Sequence, residues 1–299
     1  MMEQPFAILE APSILGLFPK GVETLPEALL SAGLARRLGA THAGRVEPLP
    51  YNYERDTSTH MLNPRAIADY SVMLADAVEG VLMSSKLPVV LGGDCSIMLG
   101  CLLALRRRGR HGLLFLDGHA DFYQPEAEPN GEAASMDLAL ATGRGPAVVS
   151  DIEGRSPLVR DEDVVAFGRR DGAEAAKHGS ARIEDTLIRM MDLNAIRLSG
   201  TRICAARAVA HLSVPGLNGF WVHLDADVLD DAVMPAVDYR MPNGLSWDEL
   251  AIVLQAAIAS RRVAGIDITI FNPKLDRDGA IAREFVDALV KGFASSPPR

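Results

Sequence analysis

The feature of this sequence that most constrains its fold is a regular alternation of short apolar runs with longer stretches of helical spacing. The apolar runs predict strands at residues 6–9, 88–91, 113–116, 164–167, 220–224 and 263–270. The longer stretches predict helices at residues 25–38, 64–85, 97–108, 183–191, 199–210, 247–260 and 279–293. Strands that are apolar throughout are covered on both faces, so the pattern predicts an α/β fold with a parallel sheet between helices.

The chain is expected to form a single domain over residues 1–299. Its length suits one large α/β domain, and no internal repeat or low-complexity linker divides it. The polar stretches 123–132 and 143–163 are predicted to be loops. Residues 293–299, which end in Ser-Ser-Pro-Pro-Arg, are predicted to fray.

Charge and hydropathy exclude several classes of protein. The sequence has 30 Lys and Arg against 39 Asp and Glu, a net charge of −9, which argues against a nucleic-acid-binding face. No apolar run approaches the roughly 18 residues of a membrane helix, and Glu3 stands where a secretory signal carries positive charge. Three scattered cysteines do not make a disulfide framework. We therefore expect a cytoplasmic protein with a small-molecule substrate and no nucleic-acid or membrane partner.

Three of the predicted strands run directly into unusual polar sequences. Residues 88–91 lead into Gly-Gly-Asp-Cys-Ser, residues 113–116 into Asp-Gly-His-Ala-Asp, and residues 220–224 into Asp-Ala-Asp. Ligands of parallel α/β sheets bind at the carboxyl ends of the strands. We therefore expect these three segments to meet at one site.

The second of these segments is the strongest signal of a metal site. Asp117, His119 and Asp121 are spaced two residues apart, so in an extended chain they point to one side. One imidazole between two carboxylates suits manganese or zinc, and Asp225 and Asp227 repeat the same spacing. Unpaired, the four carboxylates would repel one another and lose solvation, and cations remove both penalties. The number of ligands favours two metals, which together activate water and polarise a substrate.

These segments resemble the motifs of the ureohydrolase superfamily, which includes arginases, agmatinases and formimidoylglutamases. Residues 92–96 resemble its Gly-Gly-Asp-His-Ser, and residues 117–121 resemble its Asp-Ala-His-Ala-Asp. Residues 224–230, followed by 234–236 and 244–246, resemble its Ser-x-Asp-x-Asp-x-Leu-Asp-Pro, Ala-Pro and Gly-Gly-Leu-Thr segments. Residues 266–273 resemble its late Leu-Asp-x-x-Glu-x-Asn-Pro. The motifs follow the family's order over about residues 88–285.

The resemblance implies a three-layer α/β/α sandwich and a centre of two divalent metal ions, with Mn²⁺ as the expected metal. By this resemblance Asp117 and Asp225 are bridging carboxylates, and Asp121 is a ligand of one metal. His119 and Asp227 are then ligands of the other. The resemblance further implies that water activated between the metals attacks a planar carbon bearing nitrogens. It also implies a homo-oligomer, either a trimer or a hexamer.

The sequence departs from the family's pattern at three functional positions. The first histidine ligand is replaced by Cys95, and its softer thiolate would favour Zn²⁺ or Fe²⁺ over Mn²⁺. The histidine that carries protons is replaced by Ala134, and the glutamate that pairs with the guanidinium in arginases by Ile270. A buried cation without an anionic partner is costly, so we predict a poor arginase and a poor agmatinase.

Residues in the loops beside these motifs are candidates for the missing functions. Glu132 lies where the family has a substrate-contacting asparagine, and we predict that it is a general acid or base, since burial can tune a carboxylate to a near-neutral pKa. Asp137 is a second candidate catalytic residue. We predict that Asp238, Tyr239 and Arg240 bind the substrate, because binding groups concentrate in loops.

The favoured function is hydrolysis of a linear C–N bond in a small nitrogenous molecule, such as a modified guanidine, an amidine or an amide. One alternative is a non-catalytic relative that binds metal in a structural or ligand-sensing role. Another is a single-metal, deacylase-like amidohydrolase that uses Asp117, His119 and Asp225, with Cys95 unliganded. The retained carboxylate pairs favour an enzyme over a non-catalytic relative. The number of metal ions per chain distinguishes the two-metal hydrolase from the single-metal amidohydrolase.

Overall fold

The computed structural model describes residues 5–294, and within them eight strands form one parallel sheet. The strands are β1 (Phe6–Ala11), β2 (Thr41–Arg45), β3 (Leu87–Gly92), β4 (Gly112–Leu116), β5 (Val164–Phe167), β6 (Arg189–Met191), β7 (Phe220–Asp225) and β8 (Val263–Thr269). Their spatial order is β2-β1-β3-β8-β7-β4-β5-β6. The strands that precede the polar segments, β3, β4 and β7, therefore lie in the middle of the sheet together with β8.

Helices of the described chain cover both faces of the sheet. They are α1 (Leu25–Ser31), α2 (Leu34–Leu38), α3 (Pro64–Met83), α4 (Ile97–Arg108), α5 (Asp137–Ala141), α6 (Ala147–Ser150), α7 (Gly172–Lys177), α8 (Leu193–Ser199), α9 (Thr201–Leu212), α10 (Trp247–Ala259) and α11 (Ala280–Phe293). Buried residues of α1, α2 and α8 to α11 pack on one face, and those of α3 to α6 pack on the other. The fold is the expected three-layer α/β/α sandwich.

The central strands are apolar throughout because each of their faces meets a helical layer. Along β4, Leu114 and Leu116 belong to one core, whereas Leu113 and Phe115 belong to the core on the opposite face. Successive side chains of a strand alternate between faces, so both sets must be apolar. Among residues 5–294, no helix is apolar over the length that a bilayer crossing would need.

The edges of the sheet differ from the prediction. The helix predicted over residues 183–191 is wrong, because the chain makes one 3₁₀ turn at Ile183–Asp185 and then enters β6. β6 pairs with β5 at one edge of the sheet. β2 was not predicted, since four of its five residues are exposed and its sequence carries no apolar run.

A glycine interrupts the helix predicted over residues 25–38, and another precedes α9 at the start of the helix predicted over residues 199–210. Gly33 separates α1 from α2 with a φ of 92°, and Gly200 separates α8 from α9 with a φ of 88°. Both values lie in the left-handed region that favours glycine. The predicted loop over residues 143–163 contains the short α6. The predicted frayed tail begins too early, because Phe293 is buried as the last residue of α11, while residues 295–299 lie outside the described residues.

Candidate metal centre

The polar segments at the ends of the central strands meet at one place, as the strand-end rule predicts. Cys95 lies between β3 and α4, Asp117 directly follows β4, and Asp225 is the last residue of β7. The six side chains predicted as metal ligands are all brought together there: Cys95, Asp117, His119, Asp121, Asp225 and Asp227. Apart from His119 they are almost fully buried. The backbone therefore delivers the donors that the sequence predicts.

Asp117, His119 and Asp227 form one set of donors, which we name the outer group. His119 Nδ1 lies 2.9 Å from Asp227 Oδ2 and 3.6 Å from Asp117 Oδ1. The backbone N–H of His119 donates to Asp117 Oδ1 at 2.6 Å, which fixes that carboxylate. One donor atom from each of the three residues lies within 4.8 Å of the others, so the outer group can hold a metal ion. These are the residues that the resemblance assigns around one metal.

Cys95, Asp137 and His223, which we name the inner group, belong to two overlapping sets of donors that share Cys95. Cys95 Sγ donates to Asp225 Oδ2 at 2.9 Å. Donor atoms of Cys95, His223 and Asp225 lie within 4.8 Å of one another, and so do those of Cys95, Asp121 and Asp137. Asp137 begins α5 and is fully buried. The candidate catalytic residue Asp137 thus lies among the metal donors.

Burial raises the pKa of four carboxyl groups at the site, because a carboxylate loses its solvation there. They are Asp117, Asp121, Asp137 and Asp225. Burial and the neighbouring carboxylates also raise the pKa of the Cys95 thiol. Burial alone would raise the pKa of Asp227. The charge of His119 has the opposite effect, and the net result is a lowered pKa. Cations at the site would displace the protons that these groups otherwise hold.

His223 lies inside β7, and its place in an apolar strand predicts a packed core histidine. Its ring does stack on Phe115, with 4.9 Å between the ring centroids. Its cross-strand neighbour on β8 is Asp267, whose Oδ2 lies 2.5 Å from His223 Nδ1. Burial lowers the pKa of His223, but the charge and hydrogen bond of Asp267 raise it to about 9. Within the described residues His223 Nε2 has no hydrogen-bond partner.

A cavity of about 190 Å³ opens from the metal centre to the surface. Ala134 and Ile270, which replace the family's proton carrier and its guanidinium-binding glutamate, both line this cavity. Tyr239 lines it too, and its predicted role in substrate binding stays a prediction. Further lining residues were not predicted: Leu17, Tyr123, Glu128, Asn130, Ser135, Asp171, Glu174 and His178. The strand-end rule applied to β5 would have found Asp171, which follows that strand by four residues.

Glu132, predicted as a general acid or base, is fully buried beside the cavity and is not one of its lining residues. Its Oε2 accepts hydrogen bonds from Tyr239 Oη at 2.5 Å and from Asn130 Nδ2 at 3.3 Å. Its Oε1 accepts from the backbone N–H of Phe18 at 3.3 Å. These contacts hold Tyr239 against the cavity, and the acid–base role of Glu132 stays a prediction.

The structure does not bring Asp238 and Arg240 to the cavity. Asp238 Oδ1 accepts a hydrogen bond from Asn272 Nδ2 at 2.7 Å. Arg240 is half-exposed and lies 3.5 Å from the carboxylate of Asp231. The substrate-binding roles predicted for Asp238 and Arg240 therefore stay predictions.

Comparison with known proteins places this site in a family. The family model described as "Arginase family" matches residues 4–292. An arginase of Bacillus caldovelox is 30% identical over 285 residues, which cover 91% of this chain and 92% of that protein. An arginase of Staphylococcus aureus is 28% identical over 297 residues, 97% of each chain. The solved structure of the B. caldovelox arginase superimposes with a TM-score of 0.86 at 25% identity, covering 98% of this chain and 99% of that one. The chain therefore belongs to the arginase family.

Proposed function

We propose that this protein hydrolyses a linear C–N bond in a small nitrogenous substrate, and that it is not an efficient arginase or agmatinase. Members of the arginase family hydrolyse C–N bonds of guanidino compounds. The observation that carries the proposal is the cavity itself, whose lining combines three residues of the outer and inner groups with Ala134 and Ile270: Cys95, His119 and Asp227. The donors suit hydrolysis, and the wall offers no anion to a guanidinium at that position.

The donor residues fit two divalent cations better than one. The outer and inner groups are separate sets, and each contains a buried carboxylate oxygen that lacks a hydrogen-bond partner within residues 5–294, on Asp117 and on Asp137. A pair of ions would satisfy both oxygens and, when bound, would activate water and polarise the scissile group. Mn²⁺ is the expected ion, with Zn²⁺ or Fe²⁺ favoured where Cys95 is a ligand. The two groups argue against the single-metal alternative.

The cavity wall at Ile270 disfavours binding of a free guanidinium. Ile270 is buried, its backbone N–H donates to the carbonyl oxygen of Gly93 at 2.9 Å, and its side chain has no acceptor. The nearby Asp267 does not compensate, because its two oxygens accept from Trp221 Nε1 and contact His223 Nδ1. A guanidinium leaving water here would lack an anionic partner. The apolar wall at Ile270 therefore favours an amide, an amidine or a substituted guanidine whose apolar part faces Ile270.

The experiment is turnover of metal-reconstituted protein on a panel of guanidines, amidines and amides, followed by the release of urea, ammonia or amine. We expect hydrolysis of at least one panel member that is not arginine or agmatine, and loss of it after chelation. Absence of turnover across the panel, with both metals bound, would favour the non-catalytic relative. The proposal also includes a homo-oligomer, a trimer or hexamer, which light scattering of the metal-loaded protein checks.

A further inference from the structure

We propose that one metal ion of the centre is held by the inner group, with His223 Nε2 and a carboxylate oxygen of Asp137 as ligands beside Cys95 and Asp225. Neither His223 nor Asp137 occupies a ligand position of the family pattern, which has a histidine where this chain has Cys95. The inner half of the centre then becomes a thiolate–imidazole–carboxylate site suited to zinc. The inference rests on the proposed function only in that both require bound metal.

His223 has the arrangement of a histidine ligand. Metal-binding histidines donate one ring N–H to a carboxylate and bind the ion through the other nitrogen. His223 Nδ1 lies 2.5 Å from Asp267 Oδ2, and Asp267 is itself fixed by Trp221 Nε1. A proton on Nδ1 leaves a lone pair on Nε2, which is buried and has no hydrogen-bond partner in the described chain. A ring nitrogen of His223 lies within 4.8 Å of donor atoms of Cys95 and Asp225, and Nε2 lies 4.0 Å from Asp137 Oδ2.

Asp137 supplies the second unexplained donor. Both of its carboxylate oxygens are buried without a hydrogen-bond partner in the part of the chain that the structure describes. One oxygen lies 4.0 Å from His223 Nε2, and the carboxylate also lies within 4.8 Å of Cys95 Sγ and of Asp121. A buried carboxylate without partners is costly. A cation between these atoms removes the penalty.

Cys95 is the centre of the inner group, because its sulfur belongs to both sets of donors. In a tetrahedral zinc site with bonds of about 2.0–2.3 Å, neighbouring donor atoms lie roughly 3.3–3.8 Å apart. The Cys95 to Asp225 distance of 2.9 Å and the His223 to Asp137 distance of 4.0 Å bracket that range. Sulfur, nitrogen and oxygen together select zinc, whereas the oxygens and imidazole of the outer group also suit manganese.

The first experiment titrates metal-free protein with Co²⁺, a spectroscopic substitute for zinc. We expect two ions per chain and a thiolate-to-cobalt charge-transfer absorption in the near ultraviolet. The absorption should vanish in Cys95→Ser and persist in the matched control Cys101→Ser, since Cys101 is buried in α4 outside the donor sets. A spectrum unchanged by Cys95→Ser would overturn the proposal.

The second experiment measures the affinity of each Zn²⁺ ion in His223→Asn and Asp137→Asn by competition with a chelator. Each variant should lower the affinity for one ion by about 10- to 100-fold and leave the affinity for the other unchanged. Loss of a hydrogen-bond partner of a metal ligand has an effect of similar size. Asp163→Asn is the control, because Asp163 is also buried, pairs with Arg110 and lies in none of the donor sets. Unchanged affinities in both variants would mean that protonated His223 simply pairs with the two carboxylates, which would overturn the proposal.

A third measurement needs no variant and so does not depend on folding of the mutants. X-ray absorption at the zinc edge of the wild-type protein should show a sulfur ligand at about 2.3 Å and imidazole scattering. A first shell of oxygen and nitrogen alone would contradict the thiolate ligand. None of these readouts uses turnover, so an intact zinc–sulfur signal without hydrolysis defeats the proposed function alone. Hydrolysis without that signal defeats this inference alone.

Discussion

The outer and inner groups of the metal centre lie at the same edge of the sheet, yet they differ in chemistry. The outer group keeps the family's carboxylates and imidazole, and His119 reaches the cavity with about a quarter of its side chain exposed. The inner group is fully enclosed and combines a thiol with a histidine and an aspartate that the family pattern lacks. Among the donors, the departures from the family pattern are thus confined to one of the two groups.

The difference follows from where the donors originate. Outer-group side chains come from the turns after β4 and β7, where backbone N–H groups fix the carboxylates. Inner-group side chains come from the interior of β7, the first residue of α5 and the turn before α4. Replacement of a side chain at these points changes the ligand without moving the strands. Under the proposal above, the chemistry that departs from the family pattern therefore lies in the inner group.

The largest expected effect is in Asp225→Asn, which tests whether the two groups form one centre. Asp225 accepts from Cys95 Sγ through one oxygen and from the backbone N–H of Asp227 through the other, so it joins the inner group to the outer. We expect loss of most bound metal, measured by elemental analysis. Hydrolysis should fall by roughly 1,000-fold or more, since several kcal/mol of charge stabilisation are lost.

Asp163→Asn is again the matched control, and it should keep both ions. If Asp225→Asn retains two ions per chain, the outer and inner groups are independent sites and do not form two halves of one centre.

The second effect concerns the wall beside the inner group. Wild-type protein should hydrolyse arginine and agmatine far more slowly than the roughly 10 per second typical of enzymes. Ile270→Glu should raise kcat/KM for arginine by about 30-fold or more, because a charge-assisted pair contributes roughly 2–5 kcal/mol. The backbone at Ile270 has a φ of 69°, an unfavourable value for a β-branched residue, so the replacement relieves strain.

Ile270→Gln is the control for this variant, since it has a similar shape without the charge and should leave the rate low. A urea-release assay measures all three proteins. Rapid turnover of arginine by the wild type would show that another acidic residue binds the guanidinium.

The fold could be predicted wherever burial imposes a pattern. The six central runs became strands because both of their faces are covered, whereas β2 escaped prediction because its side chains are mostly exposed. Residues 183–191 carry enough apolar residues to suggest a helix. The last three residues of this stretch instead pair with β5 and form β6. Edge strands depend on pairing with residues distant in sequence, and the local pattern of apolar residues carries no information about such pairing.

Some contacts of the candidate site could likewise be predicted from the sequence, and others could not. The convergence of Asp117 and Asp225 could be predicted because strand ends are a property of the backbone. The partnership of His223 with Asp267 could not, because it depends on the register between β7 and β8, 44 residues apart in sequence. Asp137 was identified as a candidate, but its position among metal donors depends on how α5 packs beneath the loop.

The third prediction sharpens the comparison by disturbing the inner group indirectly. In Asp267→Asn the new amide can donate to His223 Nδ1, which moves the ring proton to Nε2 and blocks the free nitrogen. We expect one ion to bind about 10- to 100-fold more weakly while the other is unaffected, measured by chelator competition. Asp163→Asn is the control, because Asp163 is buried and pairs with Arg110 instead. Equal weakening of both ions would show that the two groups are coupled through Asp267.

The smallest expected effect is in Tyr239→Phe, which changes the cavity wall and neither metal group. Removal of the hydroxyl takes away the hydrogen bond to Glu132 Oε2, which then keeps only Asn130. The free energy of unfolding should fall by about 1 kcal/mol, as measured by denaturant titration. KM for the substrate should rise a few-fold, while kcat and both metal affinities stay at wild-type values, because Tyr239 lines the cavity and belongs to none of the donor sets. Tyr53→Phe, at an exposed tyrosine, should change none of these quantities. A fall in metal content in Tyr239→Phe would instead show that Glu132 and the loop around it hold the metal donors in place.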